Sequence, residues 1–313
     1  MTVEKMWMLC SGYGGAGEDM LLLELQEDGS ARKAGGFRWG MAPSFCCQAG
    51  GKLYAVSERG DGASVARFSL EDGISLEKSI EIPGGRGLCH LYPLGDTLVG
   101  SCYESGLFFA VDQGLEQVLW RFQPQGAPHA HWAQQEGGGL LLADLGGDCL
   151  YRFSLSGGLP AGGPQPLRLK EGSGPRQPLP LPQGGFAVVC ELDGGLRFFD
   201  GGGRLAQEEP ASASGQPNWP GGACLLGDVL LVGNRGPNTI SAFRVGGAGA
   251  RRLGEWPTGN WPRHLAALPQ QGLVFAACQR ENAVCAYRWQ GEALAPLWRL
   301  PLEQASCVLP LAR

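Results

Sequence analysis

The chain has 313 residues, 43% of them hydrophobic and only 18% charged, so it can bury a large core and is a poor match to a disordered chain or a coiled coil. A net charge of −5 without a long basic run removes the electrostatic footprint of a nucleic-acid binder. No window reaches the apolar length of a membrane-spanning helix, and none reads as a long amphipathic one.

In chain order the sequence repeats one pattern. It opens on an apolar run at residues 6–11, then a second at 20–25. From there each unit begins with a short strand, often opened by proline: Pro43-Ser44-Phe45, Gly87-Leu88-Cys89-His90, Pro128-His129-Ala130-His131, Pro175-Arg176-Gln177, Trp219-Pro220-Gly221, Pro262-Arg263-His264 and Ser306-Cys307-Val308. A turn and a second apolar run follow, at residues 52–57, 97–102, 140–144, 186–191, 229–234 and 273–279. A third run closes on an aromatic or aliphatic residue, at 64–68, 107–111, 149–153, 196–199, 239–243 and 283–287, and a more polar strand ends the unit. Successive starts lie roughly 40 to 47 residues apart, the period of a four-stranded propeller blade. The 52 glycines and 22 prolines are spread along the chain, as many tight turns require.

The predicted fold is therefore all-β: one seven-bladed β-propeller domain of four-stranded antiparallel blades over residues 1–313. The chain starts on a second-strand pattern and finishes on a first-strand pattern, so one blade combines both termini and closes the ring without an open sheet edge. The repeat lacks the Gly-His and Trp-Asp pairs of WD40 blades. Eleven cysteines, among them Cys46, Cys47, Cys190 and Cys278, occur without CxxC pairs of zinc spacing and read as reduced core residues. Residues 1–12 carry no basic segment followed by an apolar stretch and a cleavage site, and a cytoplasmic location is expected.

In such a blade the start of the first strand and the end of the second lie at one end of the sheet, so those positions ring one mouth of the channel. First-strand starts supply His90, His129, His131, Arg176, Arg263 and His264, which include all four histidines of the chain. Second-strand ends supply Glu58, Asp144, Glu191, Asn234, Arg235 and Gln279. Three arginines with few carboxylates point to an anionic ligand, and a neighbouring His and Glu offer acid–base groups. The alternative is that each blade uses a polar residue to bond its neighbour's backbone, which applies most to Glu58, Asp144, Asn234 and Gln279. No metal or other cofactor is required, although Glu58, Asp144 and Glu191 could meet near the axis.

Several short motifs recur in order: Gly12-Tyr13, Leu53-Tyr54-Ala55-Val56-Ser57-Glu58, Cys102-Tyr103-Glu104-Ser105-Gly106, Pro128-His129-Ala130-His131 with Asp144-Leu145-Gly146, Gly174-Pro175-Arg176 with Glu191-Leu192, Asn234-Arg235-Gly236, and Pro262-Arg263 with Gln279. This series resembles the 6-phosphogluconolactonase-like, seven-bladed lactonase family, which also contains fungal carboxy-muconate cycloisomerase. The resemblance covers most of the chain and implies a catalytic set of His129, Arg176, Glu191 and Arg235. From their positions at the mouth, His131, Asp144, Asn234, Arg263, Gln279 and Glu58 are expected as substrate-binding residues. Gln177 stands where the family usually has His, Cys102 replaces an Asn, and Cys190 precedes Glu191 where Asn is common.

The expected activity is hydrolysis of a sugar-acid lactone, most specifically 6-phosphogluconolactone to 6-phosphogluconate within the pentose phosphate pathway. The expected partner is a small anionic substrate, not nucleic acid or membrane, and the expected state is a monomer or weak homo-oligomer. Two other readings stay open: a cycloisomerase acting on a muconate-type polycarboxylate, and a non-enzymatic propeller that binds a ligand at its mouth.

Overall fold

Strand formation follows from alternation. In the run Gly139–Asp144, Leu140 and Leu142 point to one side, while Leu141 and Ala143 point to the other, and all four are fully buried. A sheet apolar on both faces cannot stand alone and must be stacked between two others. The computed structural model, which describes residues 5–247 and 249–312, shows this arrangement as seven four-stranded antiparallel sheets. Blades 2 to 7 span residues 46–81, 88–122, 130–168, 175–210, 219–257 and 262–301. Seven apolar clusters fill the spaces between them, one for each neighbouring pair of blades.

Blade 1 is composite. Its inner strand is Ala305–Leu311, and its other three are Met6–Gly12, Met20–Leu25 and Ala31–Phe37. The two ends of the chain pair in antiparallel register from Trp7↔Leu311 to Gly12↔Ala305, so the expected closure is present. The first four residues of the segment read for targeting lie outside the described residues. Among the described residues helix is limited to two single 3-10 turns, and no helix is long and apolar enough to cross a membrane.

Two features of the inner strands build the channel. In six blades the inner strand carries one residue too many for its partner, close to the mouth. The register jumps from Leu88 to His90, Ala130 to Trp132, Pro175 to Gln177, Pro220 to Ala223, Pro262 to His264, and across Ser306. Such a bulge bends the strand and re-aims the extra side chain. The bulged residues are Cys89, His131, Arg176, the Gly221-Gly222 pair, Arg263 and Ser306. The exception is blade 2, whose inner strand Cys46–Ala49 starts beyond the expected Pro43-Ser44-Phe45.

The second feature is a clamp one residue deeper. His90 Nδ1 accepts the N–H of Ala133 in the next blade at 3.3 Å, and His264 Nδ1 accepts that of Val308 at 3.3 Å. Gln177 does the same in blade 5 with both ends of its amide, accepting from Ala223 N–H at 2.8 Å and donating to its carbonyl at 3.0 Å. His90 and His264 therefore do not join the mouth as the sequence suggested. They fasten blades together, and Gln177 fills the same structural role in blade 5.

Candidate active site

Phe45, His90, Trp132 and His264 pack as one aromatic floor: His90 stacks on Trp132 with centroids 3.7 Å apart, and Phe45 meets Trp132 and His264 edge-on at 5.5 Å each. We call the mouth side of this floor, where the bulged residues stand, the cup.

Arg176, bulged from the inner strand of blade 5, pairs with Glu191, which follows the second strand of the same blade. Arg235, at the end of the second strand of blade 6, reaches the same carboxylate oxygen at 2.8 Å. Arg235 is fixed further: its Nε donates to the Trp219 carbonyl at 2.6 Å and its Nη2 to that of Pro220 at 3.2 Å. Arg176 uses only Nη1, and its remaining donors have no hydrogen-bond partner among the described residues. Across the cup Arg263 lies 3.4 Å from Glu58, whose other oxygen accepts the Tyr13 hydroxyl at 2.6 Å. Three arginines are thus met by two carboxylates. Glu191 serves two of them and Glu58 the third, which leaves one positive charge in excess.

These pairings set the charge states. Burial favours the neutral form of Glu191, but the guanidinium groups of Arg176 and Arg235 outweigh it and bring the carboxyl down to about 2. Arg235 itself is drawn below the usual guanidinium range, by burial first and then by the charge of Arg176. His131, 4% exposed, is held well below the ordinary histidine value by burial and next by Arg176, so it is a neutral imidazole. Its Nδ1 is buried without a hydrogen-bond partner in the described chain.

His129 precedes the inner strand of blade 4. Asp144 holds it by its backbone, accepting the His129 N–H at 2.8 Å and the Gly147 N–H at 3.0 Å with one oxygen. The ring of His129 stacks on Tyr103 with centroids 4.4 Å apart, and its Nδ1 lies 3.1 Å from the Tyr103 carbonyl. A carbonyl only accepts, so in the neutral ring Nδ1 carries the proton and Nε2 the lone pair. Nε2 has no hydrogen-bond partner among the described residues. Burial first, and then the charge of Glu191, push the Tyr103 hydroxyl up from its ordinary value.

The remaining expected ligands fare differently. Asn234 is fully buried and bonded within its own blade, donating to Thr239 and Ser241 at 3.1 and 2.8 Å and accepting from Asn218 at 2.9 Å. Its side-chain oxygen and nitrogen are thus both engaged within the protein. Gln279 begins a single 3-10 turn, and its side chain makes no hydrogen bond among the described residues. Asp144 positions His129, burial pushing its carboxyl up from the usual range. Glu58, Asp144 and Glu191 do not gather, and among the described residues no group of three His, Cys, Asp or Glu could hold a metal.

Sequence reasoning did not single out Tyr13, Tyr103 or Trp261. The first two lay in quoted motifs, but tyrosines in strand-rich segments carry no mark of a site. Trp261 precedes Pro262-Arg263 and takes a left-handed φ of 64°, unusual for a bulky side chain. Cys89 also lines the bulge ring, but its thiol is directed at the carbonyls of Ser101, Ala130 and His131, and burial pushes it up, away from thiolate chemistry.

The buried histidines give a pH prediction. His90 and His131 are both held well below their ordinary value, burial being the main cause for each. Below about pH 6.5 the unfolded chain takes up protons that the folded chain refuses, so stability falls as pH falls, by up to about 1.4 kcal/mol per pH unit for each histidine. Glu191 acts lower down: its folded value is depressed, so its contribution is present above about pH 4.5 and is lost toward about 2. His90→Gln, which copies Gln177, is expected to flatten the dependence of unfolding free energy between pH 6.5 and 5 by about one proton. An unchanged slope in urea titrations across that range would remove the assignment.

Comparison with known proteins bears on this geometry. Residues 8–309 match the family model described as "Lactonase, 7-bladed beta-propeller". A 6-phosphogluconolactonase of Formosa agariphila is 25% identical over 288 residues, covering 80% of this chain and 81% of that one. A Bacteroides fragilis protein provisionally assigned as a 6-phosphogluconolactonase superposes with a TM-score of 0.90 at 20% identity, covering 100% of this chain and 99% of that one. The periplasmic gluconolactonase of Pseudomonas aeruginosa gives 0.85 at 20% identity, with 99% of both chains covered. At such identity the two structures show a common fold.

Proposed function

Because the chain belongs to the seven-bladed β-propeller lactonase family, we propose that it hydrolyses the lactone of a sugar acid, with 6-phosphogluconolactone as substrate and 6-phosphogluconate as product. The observation that carries this reading is the Arg176–Glu191–Arg235 cluster, and His129, whose Nδ1 is engaged by the Tyr103 carbonyl, supports it. Water attacking the lactone carbonyl must lose a proton, and the carbonyl oxygen gains negative charge. His129 Nε2 takes the proton as general base and returns it to the ring oxygen as the C–O bond breaks. Arg176, with donors to spare, and Arg235 stabilise the developing oxyanion.

Glu191 is assigned as a positioning residue. A carboxylate held at about 2 is a weak base near neutrality. Its work is to hold two arginines together that would otherwise repel. Glu58 and Tyr13 do the same for Arg263. A cytoplasmic setting fits the eleven free cysteines, ten of them buried. The direct test is steady-state kinetics on freshly prepared 6-phosphogluconolactone with spontaneous hydrolysis subtracted. Turnover above that background is expected; a rate equal to it for every sugar-acid lactone tried would remove the assignment.

A further inference from the structure

Each inner arginine already faces a carboxylate, and the proposed substrate carries a phosphate as well as a reacting carbonyl. Arg235 spends Nε and Nη2 on two carbonyls and Glu191, and Arg263 faces Glu58. One further arginine stands at the same mouth without an anionic partner. Arg280, in the single 3-10 turn Gln279–Glu281 that follows the second strand of blade 7, is exposed and makes no salt bridge or hydrogen bond among the described residues. The neighbouring Glu281 is paired with Arg299. The guanidinium of Arg280 lies on the face of Trp261, with Cζ 3.3 Å from the ring centroid.

The platform under it is built. Trp261 adopts its left-handed backbone because Asn238 accepts its N–H at 2.9 Å and its own carbonyl accepts the Gln279 N–H at 3.0 Å. Trp219 packs against it at 6.0 Å. Backbone conformations of this kind persist only where the surroundings over-determine them, and they cluster at ligand clamps. The same indole ring also faces Arg235, whose Cζ is 5.4 Å from its centroid. Lying 3.3 and 5.4 Å from one point, the two guanidinium carbons are at most about 9 Å apart. A six-carbon chain with an ester carbonyl at one end and a phosphate at the other spans such a gap.

We propose that Arg280, stacked on Trp261, anchors the distal phosphate of the substrate, while Arg176 and Arg235 act on the carbonyl. Stacking occupies the flat face of the guanidinium and leaves its edge donors free for two phosphate oxygens, a geometry that lysine cannot reproduce. The inference rests on the sugar-lactone reading above, but its test does not depend on turnover. Binding of 6-phosphogluconate and of gluconate to the full chain is measured by calorimetry. The wild type is expected to prefer the phosphorylated acid by about tenfold or more. Arg280→Ala should bring the ratio of the two Kd values close to one, Arg280→Lys should retain part of it, and Arg204→Ala, a change to an exposed arginine in a turn of blade 5, should retain all of it. A wild type without the preference, or an Arg280→Ala protein that keeps it, overturns the anchor. Failure to hydrolyse any lactone would instead overturn the lactonase reading and leave the binding ratio to judge Arg280.

Discussion

His129→Ala is expected to lower kcat/KM on a sugar-acid lactone by about 100- to 10,000-fold, the range typical of a lost general base. The expectation follows from tautomer control: the Tyr103 carbonyl fixes a proton on Nδ1, and the stacked ring limits rotation, so in the neutral ring Nε2 is the accepting nitrogen. His129 is only partly buried and lies outside the seven apolar clusters, so the folded state should survive the change. Glu191→Gln should behave differently. It leaves Arg176 and Arg235 side by side without a counter-charge, and breaking a buried ion pair in this way costs about 3–5 kcal/mol. Thermal stability and substrate affinity should both fall, yet the acid limb of the kcat/KM profile should remain, because the base is intact. In His129→Ala that limb should vanish. The opposite pattern, with the limb lost in Glu191→Gln and kept in His129→Ala, would exchange the two roles.

Removal of residues 305–313 should abolish the stable monomer. The strand Ala305–Leu311 is the inner strand of blade 1, and it is stitched on both sides. Within the blade it pairs with Met6–Gly12. From blade 7, His264 accepts the N–H of Val308; toward blade 2, Gln48 exchanges two hydrogen bonds with Ala312. Cys307 and Val308 are almost fully buried, in two different inter-blade clusters. Without the strand, the ring loses its closing contacts, apolar faces of blades 1, 2 and 7 meet water, and an unpaired edge is exposed for aggregation. Net stability of a domain is about 5–15 kcal/mol, so loss of so many contacts exceeds the margin. Size-exclusion chromatography and thermal melting of the truncated chain decide the matter; a monomer with an unchanged Tm would show that closure contributes little.

Much of this architecture is carried by local pattern. Period-two alternation in runs such as Gly139–Asp144 makes both faces apolar, and that alone demands stacked sheets. Recurrence of the run at blade spacing fixes how many sheets there are, and the split between residues 6–11 and 306–311 fixes how the ring closes. The residues that reach the mouth were also legible, since strand direction places them there. Which of them face the ligand was not. A bulge shifts register by one residue, and one residue turns a side chain to another side of the strand. Arg176 and Arg263 lie on bulges and enter the cup, whereas Gln177 and His264, one residue on, clamp the next blade. The sharing of Glu191 by two arginines, and the meeting of Arg263 with a glutamate 205 positions away, depend on the curvature of the closed ring. The same holds for Arg235 and Arg280 around Trp261. Sequence by itself determined the blades, their number and their closure, because these follow from hydrophobic periodicity. Only the tertiary structure decided which polar groups pair, because pairing depends on distances between blades that no local pattern encodes.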